Sequence, residues 1–354
     1  MLSDLEEKIN QVKTKIKTEA ADACFLCSNI SKTWLIPKLG TMDNVFILVT
    51  NGKNYLFGDT RDIKTLRTYG EFVVICIQTY EDVIAIVKKE KICTLLVEGD
   101  ITMFEYEKYV KTLKIANIIT IDTKKIRAIK TSNEIKILQK SANIICETID
   151  YIKKNIKVGM SEKTVADMIK LHVIQEGASD ISFSSIVSFG KNTADIHHFP
   201  SATCKLKQHD VIMLDIGCIY QGYCSDITRC FWLSKPDTAA LEIYNLVLAA
   251  QKKAIAAIKP GVKACEIDAI CRNHFTSIAP QWAKTFMHST GHGVGVQIHE
   301  LPMVSTKSND TLVCGQVHTV EPGIYVENLC GVRIEDMVVV TEHGCTVLTK
   351  KASK

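Results

Sequence analysis

The chain has no apolar run long enough to cross a membrane. Its apolar stretches, such as FVVICIQ at 72–78 and DVIMLDIG at 210–217, fall far short of the roughly 20 residues that a spanning helix needs. No signal peptide is visible either. The opening MLSDLEEKINQVKTKIKTEA reads as a charged amphipathic helix, without an apolar core of its own. A soluble cytoplasmic protein with no membrane partner is expected. The net charge of +4 is spread over isolated lysines, and no basic stripe carries interleaved aromatics. Nucleic acid is therefore not an expected partner, and the tail 350–354 reads as a solvated end. Neither GxGxxG nor GxxxxGK[ST] occurs, so nucleotide binding has no support. HExxH is also missing, which excludes a zincin. Only Cys24 and Cys27 form a CxxC, and no second one completes a thiolate zinc site. Others of the fourteen cysteines, such as Cys76, Cys93, Cys146 and Cys314, sit in apolar stretches and read as small hydrophobes in a reducing compartment.

What is present is a globular composition, with 46% apolar and 23% charged residues over 354 positions. That length suggests two domains. Residues 1–125 alternate strand and helix signals, which predicts an α/β domain on a mixed sheet. The expected strands are 45–50, 55–57, 72–77, 92–97 and 115–119. The expected helices are 4–18, 61–68, 81–89 and 104–113. A polar, basic stretch at 122–130 precedes Thr131-Ser132-Asn133-Glu134, where Thr131 or Ser132 can cap a long helix. The second domain, 126–354, begins there. It contains an internal echo: NIKVGMSEKTVAD from Asn155 and AIKPGVKACEID from Ala257, with Gly261 placed 102 residues after Gly159. Each segment reads as a helix end, a turn and a new helix, which suggests two similar halves.

Acids recur in apolar strands of this second part. In VIMLDIGCIYQGYCSDITRCF, 211–231, a hairpin centred on Tyr220–Gln221 would set Asp215 opposite Asp226. A turn at Gln221–Gly222 would shift that register. A carboxylate buried among Val, Ile, Met and Leu costs several kcal/mol unless it is paired or bound to metal. Pairing of Asp215 with Arg229 or a lysine, and a turn-capping Asp226, is the structural alternative. Residues 286–302, FMHSTGHGVGVQIHELP, place His288, His292 and His299 among glycines, where backbone can approach a ligand. Imidazole suits Zn, Co, Fe or Mn. Glu321 then ends an apolar run before Pro322-Gly323. Glu335 lies in another such run, with Arg333 two residues earlier on the same face. Arg333 reads either as an ion-pair partner or as a positive group beside the acids or the substrate. So many carboxylates with one histidine fit a two-metal hydrolytic site better than a structural zinc.

With LDIGCIYQGYCSDITR, HSTGHGVGVQIHELP, VEPGIY and GVRIEDMVVVT in place, the chain resembles the pita-bread metallopeptidases: methionine aminopeptidase, aminopeptidase P and prolidase. The resemblance covers nearly the whole chain. It implies a creatinase-like α/β N-terminal domain followed by an α+β pita-bread catalytic domain with a curved antiparallel sheet. The metal ligands it implies are Asp215, Asp226, His292, Glu321 and Glu335, holding two divalent ions, with Mn2+ favoured over Co2+, Fe2+ or Zn2+. His197, His288, His299 and Arg333 would line the substrate side, and Glu321 would also handle the proton of the attacking water. The family often has Pro-His where this chain has Ile196-His197-His198, so His198 competes with His197 for that position. The upstream domain points away from a minimal methionine aminopeptidase. All five implied ligands, four acids and one histidine, are present, which argues against a non-catalytic or creatinase-like member. The resemblance therefore implies an Xaa-Pro peptidase acting on small peptides with proline second, as a homodimer. Dipeptidase activity is favoured, with aminopeptidase P activity on longer peptides as the alternative.

Overall fold

The computed structural model describes Leu2–Lys354 and divides into two compact units, 1–127 and 128–354. The first is built on a six-stranded mixed sheet. Its strands are β1 (Ala23–Leu26), β2 (Phe46–Thr50), β3 (Asn54–Gly58), β4 (Val73–Cys76), β5 (Thr94–Glu98) and β6 (Asn117–Ile121), in the order β4-β3-β2-β1-β5-β6. The pairs β1–β2 and β2–β3 are antiparallel, and the remaining pairs are parallel. Helices Asp4–Thr18 and Glu81–Lys89 form where their apolar spacing predicts. A capping box between Ser3 and Glu6 starts the first of them.

The sequence reading did not include β1. Its four residues, ACFL, are all buried, so no alternation marks them. Cys24 lies in this strand and Cys27 just beyond it, both as free thiols. Burial, reinforced by the charge of Glu98, pushes both thiols well above their usual range. The Glu98 carboxylate accepts instead from the backbone N–H groups of Cys27 and Ser28, at 2.7 and 2.9 Å. The pair is packing, and neither thiol is poised to ionise.

The second unit is antiparallel throughout. β7 (Asp180–Ile181), β10 (Cys218–Tyr220) and β11 (Tyr223–Cys224) form one small sheet, and β8 (Ile186–Phe189), β9 (Ile212–Ile216) and β12 (Ile227–Phe231) another. β13 (Gly291–Gly293), β14 (Glu300–Val304), β15 (Val317–Val320), β18 (Asp336–Val340) and β19 (Cys345–Val347) make the largest. β16 (Gly323–Val326) and β17 (Cys330–Arg333) form a hairpin. The helices supply the other face of the core. Ser132–Asn155 and Glu162–Gln175 pack on one half, Thr238–Ala257 and Ala264–Ile278 on the other. Thr131 is the cap of the first, in a capping box with Glu134.

The internal echo is a repeated piece of geometry. Gly159 and Gly261 have φ of 88° and 89°. The Gly159 N–H donates to the Leu206 carbonyl at 2.9 Å, and the Gly261 N–H to the Leu312 carbonyl at 2.8 Å. In return, Leu206 and Leu312 donate to the carbonyls of Met160 and Val262. Each half thus ties its helix–turn–helix to the strand region in the same way.

Two expectations need correction. The hairpin turns at Gln221–Gly222, and Asp215 pairs with Thr228. Asp226 lies two residues before Thr228, so the slip is by two positions and both acids stay on one face. The tail is a solvated end only in part, with Lys350, Lys351, Ser353 and Lys354 exposed. Ala352 is only 2% exposed, and Lys354 ion-pairs with buried Asp336.

β13 runs so close to β15 that a Cβ on Gly291 would sit 2.1 Å from the Thr319 carbonyl oxygen. Backbone cannot rotate away as a side chain can. Gly291→Ala should cost about 3 kcal/mol in a urea titration of metal-free protein. An unchanged unfolding midpoint would show that the two strands are not held at this spacing.

Candidate metal centre

All nine expected site residues line one cavity of about 280 Å³: His197, Asp215, Asp226, His288, His292, His299, Glu321, Arg333 and Glu335. Phe183, Ile186, Ile196 and Ile298 give it an apolar wall. The two halves of the unit feed it from different elements. Asp215 comes from β9 and Asp226 from the residue before β12. His292 is on β13, Glu321 directly follows β15, and Glu335 lies between β17 and β18. Backbone bonds tie these segments together. The Glu321 N–H donates to the Thr290 carbonyl at 2.8 Å, and the Glu335 N–H to the Thr228 carbonyl at 3.1 Å.

Potential ligand atoms of Asp226, His292 and Glu335 lie within 4.8 Å of one another. The His292 Nε2 is 3.6 Å from an Asp226 oxygen and 3.3 Å from Glu321 Oε1. Its Nδ1 bonds the Gly293 carbonyl at 3.1 Å, which turns Nε2 towards the acids. The His292 N–H donates to the Thr319 hydroxyl, which itself donates to Glu321 Oε1 at 3.1 Å.

Arg333 is buried and makes three hydrogen bonds in the site. It donates to Asp215 Oδ2 at 2.6 Å, to the Tyr325 hydroxyl at 2.7 Å and to the Thr228 hydroxyl at 3.1 Å. The Thr228 hydroxyl in turn donates to Glu335 Oε2 at 2.8 Å. One guanidinium thus connects Asp215 to Glu335. The alternative pairing of Asp215 with Arg229 does not occur, because Arg229 neighbours Thr228 on the strand and points to the other face.

Four carboxylates face this single guanidinium. Burial, and then the charges of Glu335, Asp215 and Glu321, hold the Asp226 carboxyl well above its usual range. Burial and the charges of Glu321 and Asp215 do the same to Glu335. Glu321 is pushed up to about 7, by burial first, with Arg333 opposing and Asp215 adding. Asp215 Oδ1 and Glu335 Oε1 are buried without a hydrogen-bond partner. Unpartnered carboxylate oxygens beside a histidine nitrogen make a donor set suited to divalent cations, so these residues fit a metal.

The histidines divide by environment. His288 Nδ1 bonds the Ser289 carbonyl at 2.8 Å, and its Nε2 accepts from the Tyr325 hydroxyl at 2.8 Å. Burial, then Arg333, drives its pKa down to about 3, so the ring is neutral. His299 is exposed on the wall, edge-on to His292 with ring centroids 4.4 Å apart. His197 faces the cavity, whereas His198 is turned away and bonded to Glu162 Oε2 at 2.7 Å. Glu162 also accepts from the N–H groups of Phe189 and Ser201 and from Asn192, which fixes the loop that carries His197.

Sequence reasoning missed the supporting groups. Thr228 and Tyr325 stand inside quoted motifs, but nothing in a one-dimensional pattern marks a hydroxyl as a proton link. Asp268 and Arg272 on helix Ala264–Ile278 were missed as well. Asp268 accepts from the Thr290 N–H and hydroxyl, while Arg272 binds the carbonyls of Phe286 and His288. Together they clamp the segment that leads into His292.

The raised Glu321 pKa makes metal-free stability depend on pH. A group whose folded pKa lies above its unfolded value contributes stability at low pH and loses it as pH rises through the folded value. For Glu321 that window runs from about 4.5 to about 7. The melting temperature of chelator-treated protein should therefore fall between about pH 5 and pH 8. Glu321→Gln should flatten part of that fall, since Asp226 and Glu335 contribute in the same sense. Parallel curves for the two proteins would rule out the assigned environment of Glu321.

Among the described residues no helix is long and apolar enough to cross a membrane. Residues 136–342 match the family profile described as metallopeptidase family M24. A putative Xaa-Pro aminopeptidase from Mycoplasma genitalium is 34% identical, over 99% of this chain and 98% of the relative. The solved structure of an Xaa-Pro dipeptidase from Bacillus anthracis aligns with a TM-score of 0.91 at 32% identity, covering 98% of each chain. Prolidase from Pyrococcus furiosus aligns with a TM-score of 0.84 at 30% identity, covering 95% of this chain and 98% of that one. With its α/β unit, its antiparallel α+β unit and this acid-lined cavity, the chain belongs to metallopeptidase family M24 and is a metal-dependent peptidase.

Proposed function

We propose that the chain hydrolyses the peptide bond before a proline in second position, as an Xaa-Pro dipeptidase. The observation that carries this reading is the convergence of Asp226, His292 and Glu335 within 4.8 Å, in a cavity where Asp215 and Glu335 each keep an unpartnered oxygen. Two divalent ions, with Mn2+ favoured, would be held by Asp215, Asp226, His292, Glu321 and Glu335. Bound there, they would supply Lewis acidity and offset the charge that develops on the scissile carbonyl. Oxygen-rich ligation with a single imidazole suits Mn2+, Co2+ or Fe2+.

Glu321 is the group for proton transfer. It would accept the proton of the attacking water and return one to the leaving imino nitrogen. His299, on the open wall, is placed to hydrogen-bond the tetrahedral oxyanion. His288 is the other candidate, with Nδ1 on the Ser289 carbonyl and Nε2 on the Tyr325 hydroxyl. It orients Tyr325 and, through Tyr325, Arg333. The apolar wall of Phe183, Ile186, Ile196 and Ile298 would take up the substrate's aliphatic parts and exclude water.

The likeness to an Xaa-Pro dipeptidase and a prolidase supports a dipeptide substrate. Aminopeptidase P activity on longer peptides is the second reading. It is supported by the likeness to a putative Xaa-Pro aminopeptidase. We place the protein in the cytoplasm, where its fourteen free cysteines would stay reduced. We also propose a homodimer, to be checked by sedimentation.

Asp226→Asn should lower bound metal and cut kcat/KM on Ala-Pro by about 100-fold or more. Full activity after chelation would refute the metal mechanism. Rates on Ala-Pro, Ala-Pro-Ala and longer Xaa-Pro peptides decide the substrate length. Fast tripeptide cleavage with slow Ala-Pro turnover selects aminopeptidase P, and release of methionine alone would refute both readings.

A further inference from the structure

We propose that the segment 349–354 is a strap that holds the carboxylates of Asp226 and Glu335 in position for a divalent ion. The proposal rests on the metal-site reading above. None of the strap's residues lines the cavity, so its action is positioning and not catalytic.

The strap acts through Arg229, whose side chain is 1% exposed. The guanidinium donates to the Thr228 carbonyl at 3.1 Å, to the Glu335 carbonyl and to Asp336 Oδ1 at 2.7 Å. Its remaining bonds go to the strap: the Ala352 carbonyl at 3.0 and 3.3 Å, and the Thr349 carbonyl at 3.4 Å. Asp336 is held from the same side. The Thr349 hydroxyl donates to its Oδ1 at 2.7 Å, and Lys354 Nζ lies 2.5 Å from its Oδ2. Lys354 also reaches Gln251 Oε1 at 2.7 Å, and Gln251 donates to Asp336 Oδ2 at 2.8 Å. A buried arginine and a buried aspartate thus draw much of their hydrogen bonding from this segment.

The consequence falls on the site. The backbone of Glu335 is held on both sides of its Cα, its N–H donating to the Thr228 carbonyl and its own carbonyl accepting from Arg229. The N–H of Asp226 points at the Met337 sulfur at 3.2 Å, and the N–H of Met337 donates to the Thr349 hydroxyl at 3.1 Å. Removing strap contacts leaves Arg229 and Asp336 with unmet bonding in a buried place. They can recover it only by moving, and both are bonded to the backbone that sets the two carboxylates. Ligand spacing tolerates little movement, so metal affinity should respond before the fold does.

The test uses the full chain made metal-free. Mn2+ is titrated calorimetrically into the parent protein and into Thr349→Val, Thr349→Ser and Lys354→Met, and the metal-free melting temperature of each is recorded. Thr349→Val and Lys354→Met should weaken Mn2+ binding about tenfold. Thr349→Ser, which keeps the hydroxyl, should bind like the parent. If Thr349→Val and Lys354→Met bind Mn2+ as well as the parent, the strap proposal is overturned, whatever their melting temperatures. Should Thr349→Val fail to fold, Lys354→Met decides by the same criterion. A parent protein that takes up no divalent ion would overturn the metal-site reading itself, and the strap with it.

Discussion

Four carboxylates crowd one buried cavity with a single guanidinium to balance them, and the architecture of the second unit answers that charge. Burial and mutual repulsion raise Asp226, Glu321 and Glu335 together. Such a cluster holds its shape only if the backbone carrying it is fixed by bonds that do not depend on the carboxylates. The structure supplies them: Glu321 N–H to Thr290, Glu335 N–H to Thr228 and the β9–β12 ladder beneath Asp215. Arg333 relieves part of the repulsion by pairing with Asp215, and Thr228 extends its reach to Glu335. The remaining deficit of positive charge is what a divalent cation would meet.

The imidazoles near the site share one local device with different outcomes. His288, His292 and His318 each bond Nδ1 to the carbonyl beside them in the chain, at 2.8, 3.1 and 2.9 Å. That fixes each ring and sends Nε2 elsewhere. For His292, Nε2 meets two carboxylates. For His288 it meets a tyrosine hydroxyl. His318 is fully buried on β15, with its pKa driven down to about 4 by burial, and its Nε2 has no hydrogen-bond partner. The surroundings, not the ring or its anchor, decide which of the three can serve as a ligand.

Much of this was legible in the sequence. Helices Asp4–Thr18 and Glu81–Lys89 announced themselves by period and by acidic first turns. Asp215 and Glu335 stood out because each interrupts an apolar run and Glu321 because it ends one, a pattern that carries a physical cost wherever the strand packs. Register was less legible. The hairpin turn lies one residue later than the symmetric placement, and the side-chain period of two kept both aspartates on one face despite the slip. Strand β1 was hidden because ACFL is buried throughout and looks like any short apolar segment. The partners of Arg229 and Arg333 were hidden for a different reason. Each bonds residues about a hundred positions away, and only the closed structure brings those together.

The repeated helix–turn–helix explains why the ligand set is split as it is. The first half, through β9 and β12, contributes Asp215 and Asp226. The second, through β13, β15 and the β17–β18 junction, contributes His292, Glu321 and Glu335. Each half fixes its own turn to its own strand region by the same reciprocal bonds, at Gly159 with Leu206 and at Gly261 with Leu312. The group of potential ligand atoms within 4.8 Å, from Asp226, His292 and Glu335, draws on both halves. The cavity exists only where the two meet, so ligand spacing is set by the packing between halves, including Glu335 against Thr228 and Met337 against Asp226. Arg229 on β12 and Arg333 on β17 both work at that seam: one binds the backbone behind the acids, the other the Asp215 side chain in front.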